Sequence, residues 1–188
     1  MGLLDALLGR SKPVPPDLDQ LFGLPSAAVT LSASTSFRPT GAGTVAFKKA
    51  EGGAFQGLGD QVQQLLALDG GKFSQQTDSY GFTWLVRRTG PDELSDLVAD
   101  LHAVNSTLAD AGFGSLLLCT VVCFTDGHQP LGLVYLYKRG AWYPFTPSGE
   151  QKRDNTVELE VRAAVADDLK IEDDLSRWFP VWDAPGRP

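Results

Sequence analysis

Four side chains in this sequence are natural candidates for metal ligation or nucleophilic chemistry: Cys119, Cys123, His102 and His128. The cysteines stand four apart in an apolar run, SLLLCTVVCFT. In a strand that spacing puts both thiols on one face, about 13 Å apart at ~3.3 Å per residue. That is too far for a disulfide. There is no CxxC pair, and neither histidine has a ligand-type residue three to five positions on, so no zinc motif forms. Two buried small hydrophobes are the simpler reading of the cysteines. His102 with Asp100 and Cys119 would make a Cys-His pair. Nothing local supports it, and a satisfied surface histidine fits better. The segments Gly41-Ala42-Gly43, Gly57-Leu58-Gly59 and Gly112-Phe113-Gly114 do not open helices after strands, as a phosphate or dinucleotide loop must. Asp167-Asp168 and Asp173-Asp174 read as solvated acids. The expectation is no catalytic residue, no metal and no cofactor.

The charge pattern is more informative. Basic pairs close three predicted strands: Lys48-Lys49, Arg87-Arg88 and Lys138-Arg139. Trp142 and Tyr143 follow the last pair directly. If two of those strands run the same way, their ends make a basic rim beside aromatics. The candidate rim is Arg87, Arg88, Lys138, Arg139, Trp142 and Tyr143. Such a rim suits an acidic helix, a phosphate group or lipid headgroups. Polar strand ends are also what any sheet needs.

The positions of these residues follow from apolar periodicity. Ser115–Phe145 reads as a three-stranded meander, turned at Asp126-Gly127 and Arg139-Gly140, and is expected to form the middle of an antiparallel sheet. Its first strand is apolar at odd and even positions, which marks a strand covered on both faces. Tyr80–Arg88 alternates cleanly. Phe73–Asp78 is polar and suits an edge, and Thr44–Lys49 is a further strand. Pro91–Ala111 carries a helical stripe of Leu94, Leu97, Val98, Leu101, Val104, Leu108 and Ala111, with Asn105 on it needing a buried partner. Helices are also expected over Phe55–Leu68 and Val157–Val165, the second anchored by Leu159 and Val161, although the alternation Val157, Leu159, Val161 also fits a strand. Residues 26–34 fit helix or strand, with a strand favoured at Val29–Ala33. Phe37–Gly43 reads as a turn region, and Asp167–Asp174 as a solvated connection. The aromatic tail from Leu175 to Trp182 must cover apolar surface. Together these predict an α+β fold: a central antiparallel sheet with helices packed on one face.

With 188 residues and 43% hydrophobic side chains, the chain is expected to form one ordinary core. A formal net charge of -7 argues against nucleic acid and against purely electrostatic membrane attachment. There is no apolar run long enough to span a bilayer, and no cleavable signal is read at the N-terminus. A cytoplasmic protein is expected. Its organisation divides at residue 24. Residues 1–24 hold a short leucine helix, a stiff Lys12–Pro16 linker and a second short helix, and residues 25–188 form the α+β domain. Leu3, Leu4, Leu7 and Leu8 lie on one side of the first helix. Two turns are marginal alone in water, so this stripe must dock on its own domain, a partner or a membrane surface.

Several phrases together resemble one family. They are MGLLDALLGRSKPVPPDLDQLFGLPSAA, YGFTWLV, DLHAVNSTLADAGFG, LGLVYLYKRGAWYPFTP followed by RDN, and DLSRWFPVWDAPG. They resemble the PspA-associated PspAB family of actinobacteria and related prokaryotes. The resemblance implies a cytoplasmic accessory or adaptor of the phage-shock, envelope-stress response. Its implied partner is PspA, a helical membrane-repair protein, with peripheral contact at the inner face of the membrane. It carries no catalytic residues over. The layout is also loosely similar to type III secretion chaperones, an analogy of fold alone. The alternative functional reading is a small-molecule- or lipid-headgroup-binding domain, or an uncharacterised enzyme using a cleft near His102.

Overall fold

The computed structural model describes residues 16–48 and 73–186. The expected leucine helix with Leu3, Leu4, Leu7 and Leu8, most of the proline linker and the expected helix over 55–68 lie outside the described residues.

Among the described residues six strands form one sheet: β1 (Arg38–Lys48), β2 (Phe73–Thr77), β3 (Phe82–Arg88), β4 (Leu117–Thr125), β5 (Pro130–Leu136) and β6 (Ala141–Phe145). Their order is β2-β3-β1-β4-β5-β6, and every neighbouring pair is antiparallel. β4 is central and buried on both faces, as its unbroken apolar run requires. β2 lies at one edge and is mostly exposed. β6 lies at the other edge, so the meander is one half of the sheet rather than its middle. The segment after Leu169 covers that edge: Trp142 bridges to Ile171, and the Trp142 amide donates to the Lys170 carbonyl at 2.8 Å. A small second ladder pairs β7 (Pro147–Gly149) with β8 (Lys152–Arg153).

Among the described residues three α-helices pack on one face: α1 (Leu24–Ser34), α2 (Leu94–Leu108) and α3 (Asn155–Val165). The expected stripe is buried from Leu94 to Leu108 against Val45, Leu85 and Val122, whereas Ala111 lies beyond the end of α2 and is exposed. Asn105 finds its partners within the core: its Nδ2 donates to the Leu101 carbonyl and to Thr120 Oγ1. Of the two expected anchors in α3, Val161 is buried and Leu159 is exposed.

Three local expectations are corrected. Val29–Ala33 is helical, within α1. Leu24, Ala27, Ala28 and Leu31 are its buried residues, a three-four spacing that outweighs the β-branched Val29, which is left exposed. Phe37–Gly43 is not a turn region: β1 already runs from Arg38, with a bulge between Pro39 and Gly43. Gly41 there has φ of +78°, and an added Cβ would stand 2.3 Å from the Thr89 carbonyl oxygen, so only glycine fits. Asp167–Asp174 is not simply solvated, since Leu169 and Glu172 are buried.

Candidate functional site

The face of the sheet opposite the helices carries its own apolar cluster, built from Ala42, Ala46, Trp84, Cys119, Val121, Cys123, Val134, Tyr143 and Phe145. Strand alternation dictates this set, since each member points away from the helices. The C-terminal strap, Trp178 to Ala184, crosses part of this face. Trp178 stacks on Tyr143 with ring centroids 5.9 Å apart, and Trp182 meets Phe145 edge-on at 4.9 Å. The Tyr143 hydroxyl donates to the Phe179 carbonyl at 2.7 Å, and the Trp178 indole donates to the Glu172 carbonyl at 2.9 Å.

The strap leaves the other part of the face open as an apolar cleft of about 880 Å³. Its floor is one register row across four strands: Trp84 opposite Ala46, Ala46 opposite Cys119, and Cys119 opposite Leu136. Two small residues therefore lie between two large ones. Tyr80 and Phe179 stand on the margin with 68% and 59% of their surface in solvent. Exposed aromatics around an apolar hollow mark a binding surface.

The charges around it are ordered. Glu172 accepts from Arg139 Nε at 2.8 Å and lies 3.8 Å from Arg177. Arg177 also pairs with Asp174 at 3.2 Å. Burial alone would raise the Glu172 carboxyl. The Arg139 hydrogen bond, the Asp174 amide and the two arginine charges outweigh it and hold the group below its usual range. On the opposite wall Asp78 accepts from the Tyr80 and Phe82 amides and from the Trp84 indole. Burial pushes the Cys119 thiol up to about 12 and holds the Tyr143 phenol well above its usual value. Both are protonated at neutral pH, so neither presents an anionic nucleophile to the cleft.

The six residues of the expected rim do not meet. β1 and β5 run the same way, which brings Lys48, Lys138 and Arg139 to one end of the sheet, where all three line the cleft with Tyr143. β3 runs against β1, so Arg87 and Arg88 lie at the far end, paired with Gly43 and Ala42. Arg87 turns to the helix face and binds Asp100 at 2.7 Å. Trp142 is buried among the helices, where its ring meets Tyr135. His102 sits on α2 against Phe22, 3.5 Å from Asp19, with the sheet between it and the Cys119 side chain. Among the described residues no three His, Cys, Asp or Glu side chains cluster to hold a metal, and no helix is long and apolar enough to cross a membrane.

Sequence reasoning missed the cleft itself. The signal was the row of small residues Ala42, Thr44 and Ala46 alternating with Val45 and Phe47 on β1. A strand that is small on one face and large on the other leaves room on the first.

The family model described as PspAB, PspA associated protein B, matches residues 1–186. No curated protein and no solved structure matches the chain.

Proposed function

Because this chain belongs to the PspAB family, PspA associated protein B, we propose that it is a non-enzymatic accessory of the PspA envelope-stress system that works by holding a protein partner. The whole-chain family match carries this reading.

PspA is the proposed partner, with the protein working in the cytoplasm and reaching the inner face of the membrane through it. The contact is assigned to Leu3, Leu4, Leu7 and Leu8, which lie outside the described residues. Each leucine contributes roughly 1.5–3 kcal/mol if fully buried, and less at an interface. Four partly buried leucines suffice for reversible docking. The proline-rich stretch Lys12–Pro16 favours a stiff extended spacer, which suits a helix serving a surface away from its own domain. The test is affinity capture from the native cell, with and without residues 1–12, scored for PspA by mass spectrometry. PspA should be recovered with the full chain and lost with the truncation. Equal recovery from both would overturn the leucine assignment, and no PspA from either would overturn the adaptor reading.

A further inference from the structure

The cleft has a direction. At its inner end the strap closes it with Val181 and Trp182. Its floor is the Trp84–Ala46–Cys119–Leu136 row, about 14 Å wide at ~4.8 Å per strand interval. Among the described residues its mouth is the sheet end where β1 and β5 both finish. Lys48 and Lys138 are the next same-face positions beyond Ala46 and Leu136, two strand intervals apart, about 10 Å at the backbone. Arg139 and Arg177 are engaged by Glu172 and Asp174, whereas no ion pair among the described residues engages Lys48 or Lys138. Asp78 and Asp183 also line the cleft, but neither is within ion-pair distance of Lys48 or Lys138: Asp78 accepts from two amides and the Trp84 indole, and Asp183 faces Ser79 at 3.4 Å. The hollow is thus apolar along its length and cationic at one end.

We infer that this cleft binds a single-chain anionic amphiphile of the fatty-acid type, with the acyl chain along the Ala46–Cys119 trough and the carboxylate between Lys48 and Lys138. A cavity of about 880 Å³ is of ligand size, and apolar walls with a few placed charges are the usual make-up of such sites. The strap roofs the inner end, so the geometry admits a free chain rather than the face of a bilayer. The site is separate from the leucine-mediated partner contact proposed above.

The test uses the purified full chain and palmitate below its aggregation concentration, followed by calorimetry and by tryptophan fluorescence, since Trp84 and Trp182 line the cleft. One palmitate per chain should bind. Lys48→Gln with Lys138→Gln should weaken it by roughly tenfold or more, the usual worth of hydrogen bonds to a charged group. Hexadecanol should bind the native protein no better than palmitate binds that double variant. Ala46→Leu should fill the trough and abolish binding. Should that variant unfold, Leu136→Trp at the half-buried end of the floor row blocks the same space. The inference is overturned by no palmitate binding, by equal binding of hexadecyltrimethylammonium, by an unchanged affinity in the lysine variant, or by binding only to anionic vesicles.

Discussion

Glu158→Ala should be among the most damaging single changes away from the main helix-face core. Glu158 keeps only 2% of its side chain in solvent and accepts from the Thr146 amide at 2.8 Å and from Arg153 Nε at 2.9 Å. Arg153 in turn donates to the Trp178 and Pro144 carbonyls and stands 5.1 Å from the centre of the Phe145 ring. This one pair joins α3, β8, β6 and the start of the strap. Removing one partner of a buried pair costs about 3–5 kcal/mol, because the other charge is left unpaired. Arg153 retains 19% exposure, which favours the lower figure. At about 3 kcal/mol and roughly 2–4 °C per kcal/mol for a chain of this size, the thermal midpoint should fall by roughly 6–12 °C. Glu158→Gln keeps an acceptor for the Thr146 amide and should fall less. Circular dichroism melts read the stability, and native tryptophan fluorescence reads the loosened strap. A drop in Glu158→Ala below about 2 °C, equivalent to less than about 1 kcal/mol, would refute this account of what anchors the strap.

Four further outcomes are expected. Gly41→Ala should lower the urea midpoint far more than Gly112→Ala: both have positive φ, but only at Gly41 does the new Cβ meet backbone, at 2.3 Å. On acidification, stability should be retained above the ordinary carboxyl values of 3.8 for Asp168 and 4.5 for Glu172, then lost as pH falls through their lowered native values. The Ser26 and Thr30 hydroxyls lower Asp168. Thermal midpoints between pH 7 and pH 2 check this, and Glu172→Gln should flatten the acid limb; loss already complete by about pH 5 would contradict it. Cys119, with its thiol pushed up to about 12, should label with iodoacetamide at pH 8 only after unfolding, and Cys119→Asp should cost several kcal/mol for an unpaired buried charge. Rapid labelling of Cys119 in the native protein, read by peptide mass spectrometry, would contradict the first. A Cys119→Asp urea midpoint equal to the native one would contradict the second.

Much of the fold was legible because each main element repeats its own signal. The two-faced β4, the alternating β3 and the six apolar stripe residues of α2 were readable from periodicity alone. The antiparallel sheet with helices on one face followed from them. What the sequence hid was the second face. Nothing in the order Leu175, Trp178, Val181, Trp182 says which surface the tail covers, since that depends on a sheet assembled from strands far away in the chain. The basic pairs were visible, but strand direction sorted them: Lys48 and Lys138 came together, while Arg87 and Arg88 went to the far end. Glu172 and Glu158 look like ordinary surface acids in sequence. Their burial is legible only once Arg139, Arg177 and Arg153 are in place around them.

The most direct test of the accessory reading is sedimentation of the purified full chain mixed with purified PspA, alongside the Leu4→Asp, Leu8→Asp double variant. A saturable complex should form with the native chain and vanish with the variant, whose thermal midpoint should stay nearly unchanged. The account is contradicted if no complex forms, or if the variant melts several degrees lower and binding falls only in proportion, which would make those leucines part of the core.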